Sequence, residues 1–279
     1  MTVSANAKIN YTLEVYGKRP DGYHALRSLV VPISLADTLE IEPTDDGTIT
    51  SDTGYDDDLC VKAAKALKIA RLFDCSDCSI VRLKGARISV KKLIPVGGGL
   101  GGGSADAAAT LRTLNELWGF GKTPEELAEI GAAVGSDVPA LVLAQHYRRP
   151  VLMEGRGEKV SLSVLSIEQS NNPNNRTIPL VLANPGVSVS TAEIYGLCVP
   201  RTAAATEPVN DLQEPAIRRH PEIAAALAAL KAAGATNVRM SGSGATSFGF
   251  AANADDAARI VRQVASAGFD VWSTEVLSN

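Results

Sequence analysis

From Pro95 to Ala105 the chain reads Pro95-Val96-Gly97-Gly98-Gly99-Leu100-Gly101-Gly102-Gly103-Ser104-Ala105, six glycines in eleven residues, and enters a helical pattern without a break. Ala108, Leu111, Leu114 and Leu117 or Trp118 recur at helical spacing, and Gly119 closes the run. Upstream, Arg87 to Ile94 alternates like a strand. A strand, a glycine loop and a helix in that order constrain the fold tightly. Glycine lacks a Cβ, so the backbone adopts positive φ and an anion approaches it closely. The helix start adds unpaired N–H groups and a partial positive charge. The combination predicts a phosphate cradle.

Other readings of the loop fit less well. A Walker loop ends in Gly-Lys-Ser/Thr, and no lysine follows these glycines. A dinucleotide fingerprint calls for an acidic residue roughly 20 positions on, at a strand end. That distance falls at Gly121 to Thr123, between two helices. A turn with no ligand would sacrifice about 0.5–1 kcal/mol per glycine relative to alanine. The loop is read as a nucleotide phosphate site.

At 279 residues the chain is long enough for one large or two ordinary domains. A net charge of −4 with dispersed Lys and Arg leaves no electrostatic footprint for nucleic acid. The opening Met1 to Lys8 has no apolar signal-peptide core, and no apolar run nears the ~20 residues of a membrane span. A soluble, cytoplasmic chain is expected. Cys60, Cys75, Cys78 and Cys198 do not make a disulfide framework. Cys75-Ser-Asp-Cys78 has metal or redox spacing but lacks a second pair or a histidine, and is read as two reduced thiols in a connector.

Strands are expected over 29–33, 38–42 and near 48–50, and an amphipathic helix over 59–72. Thr123-Pro-Glu-Glu is a capping box with proline at the first helical position, followed by a Leu127, Ile130, Val134 stripe and Gly135 as the stop. The polar stretch 170–176 reads as a loop before a buried-strand run over 178–184. An alanine-rich helix over 221–233 stopped by Gly234, a strand over 247–251, a helix over 255–266 and a strand over 270–276 complete the order. These elements define a two-lobed α+β protein, with residues 1–150 carrying the phosphate loop and 151–279 forming the second lobe.

Outside the loop, three places carry candidate chemistry. In Ala7-Lys8-Ile9-Asn10, strand alternation puts Lys8 and Asn10 on one face; alone, this fits a surface strand with a solvated lysine. Asp137 lies in Gly135-Ser-Asp-Val-Pro139, after a helix stop and before an apolar run, the place of a helix N-cap. A helix N-terminus also suits a carboxylate that accepts a proton. Asp21-Gly-Tyr23-His24 is turn-like, where a histidine can simply cap or face solvent. Taken singly, each leans to a structural role.

Taken in order they do not. Ala7-Lys8-Ile9-Asn10, Gly17-Lys-Arg-Pro-Asp-Gly-Tyr-His24, the 95–105 loop, Gly135-Ser-Asp-Val-Pro139 and Ser241-Gly-Ser-Gly-Ala245 form a series that resembles the GHMP kinase superfamily. The match runs from Ala5 to about Phe250 and is weakest over 43–85 and 165–177. The loop, the aspartate segment and the late glycine turn are superfamily-wide. The Lys-x-Asn opening and the Arg-Pro-Asp-Gly-Tyr-His segment are narrower. They are similar to the branch that phosphorylates 4-diphosphocytidyl-2-C-methyl-D-erythritol on its 2-hydroxyl, in non-mevalonate isoprenoid synthesis. The resemblance implies the two-lobed GHMP kinase fold with a ferredoxin-like C-terminal lobe, and ATP phosphates bound by Pro95 to Ala105. It implies a catalytic pair of Lys8 and Asp137, and a cytosine held by Tyr23, His24 and a second ring, Tyr195. Asn10 and Thr191 match further substrate contacts, and 241–245 a motif near the phosphates. Phosphoryl transfer by such a set calls for Mg²⁺ on the phosphate oxygens, with Ser104 its candidate protein ligand.

The implied partners are ATP and a small cytidine diphosphate ester, bound by a monomer or homodimer. Two alternatives stand beside this reading. A GHMP kinase with another small alcohol as acceptor has no reason to share Tyr23, His24 and Tyr195. A non-catalytic nucleotide- or metabolite-binding relative has no reason to keep both Lys8 and Asp137. Three places depart from the branch pattern. Ala105 replaces a second serine, removing a hydroxyl that could reach phosphate or Mg²⁺. Pro139-Ala-Leu-Val replaces an aromatic segment behind the site, and Asp57-Asp58-Leu59 stands where relatives have Asp-Asn-Leu.

Overall fold

The structure, a computed structural model, describes residues 1–74, 84–163 and 178–278. Cys75, Cys78 and the polar stretch 170–176 lie outside the described residues. Two long strands organise the first lobe. β1 (Thr2–Lys18) and β2 (His24–Thr44) pair antiparallel, and β2 also receives β4 (Gly85–Lys91) and β5 (Val151–Gly155). β3 (Ile49–Ser51) joins β4 in parallel, and β6 (Lys159–Leu162) joins β5. β5 and β6 therefore belong to the first sheet although they lie beyond residue 150. The segments 29–33 and 38–42 are one strand rather than two.

Four helices complete this lobe: α1 (Leu59–Asp74), α2 (Gly102–Leu117), α3 (Pro124–Gly131) and α4 (Val138–Tyr147). α2 lies on β1 and β2, with α1 and α4 packed against it and α3 against α4. Its buried face of Ala105, Ala107, Ala108, Ala109, Leu111 and Leu114 is mostly small, so neighbouring elements approach closely. The Thr123 capping box is complete: Glu126 N–H donates to the Thr123 hydroxyl, and Thr123 N–H to the Glu126 carboxylate.

The second sheet holds β7 (Ile178–Asn184), β8 (Thr236–Met240), β9 (Ser247–Phe250) and β10 (Asp270–Val276) in the order β10-β7-β9-β8, antiparallel throughout. α5 (Thr191–Leu197), α6 (Gln213–Arg219) and α7 (Glu222–Ala232) connect β7 to β8, and α8 (Ala254–Ala265) connects β9 to β10. A βαββαβ path with that strand order is the expected ferredoxin-like arrangement. The sheets meet where Val276 of β10 pairs with Ile33 of β2. β1 joins the lobes a second time, because Leu13 and Val15 are buried with Ile194, Leu212, Ile223 and Met240. Among the described residues, no helix is long and apolar enough to cross a membrane.

Candidate active site

The glycine loop enters α2 through Gly101, at φ 71° and ψ 27°, with no side chain capping the helix. The first-turn N–H groups therefore have no competing side-chain acceptor. The second lobe holds the loop in place. Ser241 Oγ donates to Gly99 O at 2.9 Å, and Thr246 N–H donates to Gly98 O at 3.2 Å. A Cβ on Gly99 would sit 2.2 Å from Ser241 O, so only glycine permits this approach. Pro95 to Gly99 and Gly101 to Ser104 line a cavity of about 1030 Å³. Leu100 and Ala105 do not; their side chains are fully buried. Ala105 faces the core, so the absent serine hydroxyl takes nothing from the cavity wall.

Lys8 is not a solvated lysine, being 3% exposed. Its Nζ donates to Asn10 Oδ1 at 2.6 Å and Gly99 O at 3.0 Å, and lies 3.3 Å from Asp137 Oδ2. Alternation placed Lys8 and Asn10 on one face correctly. The β1–β2 register shifts on both sides, between Asn6 and Lys8 and between Asn10 and Thr12. Irregularities of this kind re-aim side chains at sites. Asn10 Nδ2 donates to Ser28 Oγ, and Asn10 N–H to Ser241 Oγ, which fixes the amide against the late turn. Asp137 occupies the N-cap position of α4, yet its carboxylate makes no capping hydrogen bond. It turns to Lys8 instead.

Tyr23, His24, Thr191 and Tyr195 line the same cavity as Lys8, Asn10 and Asp137. His24 and Tyr195 are stacked, with centroids 5.7 Å apart and planes at 26°. Tyr23 lies instead beneath the Arg156 guanidinium, 5.4 Å from its ring centroid. Burial, reinforced by the charge of Asp137, pushes the Tyr195 hydroxyl above its ordinary range and keeps it neutral. Thr191 Oγ1 and Ser243 Oγ share a hydrogen bond of 2.8 Å.

Sequence reasoning missed Lys92, Asp106 and Arg156, which also line the cavity. Lys92 Nζ bridges Asp37 at 2.5 Å and Asp106 at 2.7 Å beside the loop. For Lys92 the available signal was a lysine just past the strand end, two residues short of the phosphate loop. Asp58 accepts from the N–H groups of Cys60 and Val61 at the start of α1. Asn and Asp serve about equally in that capping role, so an aspartate in place of an asparagine costs the fold little.

A glycine loop at an open helix start, gripped by a second lobe and faced by a buried lysine and a carboxylate, defines a two-lobed phosphotransferase. Comparison with known proteins narrows this. The GHMP kinases N terminal domain matches residues 58–145, and the GHMP kinases C terminal domain residues 201–270. The chain is 33% identical to a 4-diphosphocytidyl-2-C-methyl-D-erythritol kinase of Symbiobacterium thermophilum, over 99% of this chain and 100% of the relative. It is 39% identical to one from a Geobacillus species, over 89% and 87%. A crystal structure of 4-(cytidine 5'-diphospho)-2C-methyl-D-erythritol kinase superposes with a TM-score of 0.80 at 31% identity, covering all of both chains. The chain is a kinase of the GHMP class, and within that class it belongs to the 4-diphosphocytidyl-2-C-methyl-D-erythritol kinase family.

Proposed function

We propose that the chain transfers the γ-phosphoryl group of ATP to the 2-hydroxyl of 4-diphosphocytidyl-2-C-methyl-D-erythritol, in non-mevalonate isoprenoid precursor synthesis. The observation that carries this reading is one cavity shared by the glycine loop, the Lys8–Asp137 pair at 3.3 Å and the rings of Tyr23, His24 and Tyr195. Phosphoryl transfer is mostly positioning and charge stabilisation. Asp137 accepts the proton of the 2-hydroxyl as its oxygen bonds to the γ-phosphorus, and ADP departs with the electrons of the broken P–O bond. Lys8 neutralises charge growing on the acceptor oxygen and on the transferring group. The loop and the start of α2 hold the phosphates.

The aromatic end binds the cytosine, where each stacked ring contributes roughly 1–3 kcal/mol. That binding energy, remote from the reacting hydroxyl, is used to orient it. Ser104 lines the same cavity beside the loop, and its hydroxyl oxygen is a hard donor that would fit Mg²⁺ bound chiefly through phosphates. When bound, the ion supplies neutralisation of phosphate charge.

An ADP-coupled assay tests the reading with two acceptors. The cytidylyl substrate should turn over with ATP, while methylerythritol phosphate lacking the cytidylyl group should lose most of the activity. Comparable turnover of both would overturn the substrate assignment.

A further inference from the structure

The turn that carries Tyr23 is tied to the turn that carries Arg156, a cavity-lining residue, through the Glu158 carboxylate. Arg19 N–H donates to Tyr23 O at 2.7 Å, and Tyr23 N–H donates to Asp21 Oδ1 at 3.2 Å. The Arg19 guanidinium then spans two acids. Its Nε reaches Asp21 Oδ2 at 3.1 Å, and its Nη1 reaches Glu158 Oε1 at 2.9 Å. Glu158 uses its other oxygen on its own turn, with Arg156 N–H donating to Oε2 at 2.6 Å. The carboxylate folds across Gly155, where a Cβ would lie 2.5 Å from Oε2.

The same turn rests on the backbone that leads into Asp137. Gly157 has φ +118°, and a Cβ there would sit 2.2 Å from Ser136 O. Only a residue without a side chain fits there, so the Gly157 backbone packs directly against the Ser136 carbonyl, next to Asp137. The Arg156 guanidinium, carried by this turn, lies over the Tyr23 ring and closes the circuit. Tyr23, Asp21, Arg19, Glu158, Gly157 and Ser136 thus form one connected path between the aromatic end and the reacting end.

We propose that Arg19 and Glu158 are positioning residues that couple capture of the cytidine to placement of the Asp137 carboxylate. This rests on the substrate reading above. Both side chains of the pair keep about a third of their surface in water, 30% and 27%. An exposed pair of this kind adds little to global stability, so its consequence lies in the geometry of the two loops. Burial alone would raise the Glu158 carboxyl, but the N–H groups of its own residue and Arg156, with Arg19, hold it below its ordinary value. The clasp is therefore ionised throughout the neutral range.

The test uses Arg19→Ala, Arg19→Lys and Glu158→Gln in the full chain, with CDP as a binding probe and steady-state kinetics on the cytidylyl substrate. Turnover of that substrate by the unmutated protein checks the substrate reading separately. Arg19→Ala and Glu158→Gln should each weaken CDP binding, raise KM for the cytidylyl substrate about 5–20-fold, a loss on the scale of a partly solvated charged hydrogen bond, and also lower kcat, because Asp137 loses its placement. KM for ATP should stay within about twofold, the thermal midpoint should shift by no more than a few degrees, and Arg19→Lys should recover part of the loss, because it restores the cation but not the two-acid span of the guanidinium. CDP affinity and KM unchanged in either variant would overturn the proposal, and an unchanged kcat would overturn the link to Asp137. Equal losses for ATP and the cytidylyl substrate, or an Arg19→Lys loss as large as that of Arg19→Ala, would also overturn the proposal.

Discussion

Replacing Asp137 with asparagine isolates the chemistry of the carboxylate from its place in the fold. In the structure this side chain makes no capping hydrogen bond, so the change removes no cap from α4. What it removes is the charge 3.3 Å from Lys8 Nζ. Lys8 keeps Asn10 Oδ1 and Gly99 O as acceptors, so the buried ammonium is not orphaned. The Asp137 side chain is 32% exposed and Lys8 keeps its two other acceptors, so losing the pair costs on the order of 1 kcal/mol. For a chain of this size that is a Tm shift of about 2–4 °C. The catalytic cost is larger. Losing a general base typically costs ~10²–10⁴-fold in rate, about 3–5 kcal/mol of transition-state stabilisation. Steady-state kinetics should show kcat falling by that order with KM for ATP and acceptor changed little, and a thermal melt should move only slightly. Turnover within tenfold of the unmutated protein would refute the argument. Asp137 would then be structural, leaving Lys8 and the loop to carry the reaction.

Two further outcomes follow from the same cavity. Gly101→Val should abolish ATP binding by calorimetry while leaving CDP binding measurable. Gly101 sits at φ +71°, and its Cβ would lie 2.9 Å from Lys8 Cε; wild-type ATP affinity would show that the glycine serves only the fold. Asp106→Asn should raise the thermal midpoint more at pH 8 than at pH 5. Burial, opposed by Lys92 and reinforced by Asp37, lifts the Asp106 carboxyl to about 7 from an ordinary value of 3.8. Between those values the folded protein holds a proton that the unfolded chain has lost, so stability falls as pH rises through that window. The full penalty is present above about 7, where asparagine avoids it. An equal shift at both pH values, or a lower midpoint at pH 8, would refute this.

The parts legible in the sequence are those governed by local rules. The 102–117 helix, the Thr123 capping box and the strand over 270–276 follow from glycine backbone freedom, capping chemistry and apolar periodicity. The misreadings are long-range. Alternation says that Lys8 and Asn10 share a face, but not what covers that face. The cover is the loop around Gly99, ninety-one residues away. Asp37 interrupts the apolar pattern of β2, so the strand reads as two pieces. In the fold that carboxylate is fully buried and accepts the N–H groups of Leu93 and Ile94 as well as the Lys92 ammonium. A polar residue inside a strand is a break only if nothing distant satisfies it.

The late turn makes the same point for the site. In sequence, Ser241 to Ala245 is a glycine-rich turn whose place near the phosphates comes only from the resemblance, because its chemistry is invisible residue by residue. In the fold, Ser241 is fully buried, donating its hydroxyl to Gly99 O and accepting from Asn10 N–H. One side chain of the second lobe therefore ties the phosphate loop to the strand that carries Lys8. Asn210 anchors this turn in its own lobe, donating to Met240 O and Gly242 O at 2.8 Å each. The order of short motifs along the chain carried more functional information than any one of them because each supplies one wall of the same cavity. The second lobe is part of the phosphate site itself, and separating it from the first would leave the glycine loop without the contacts that shape it.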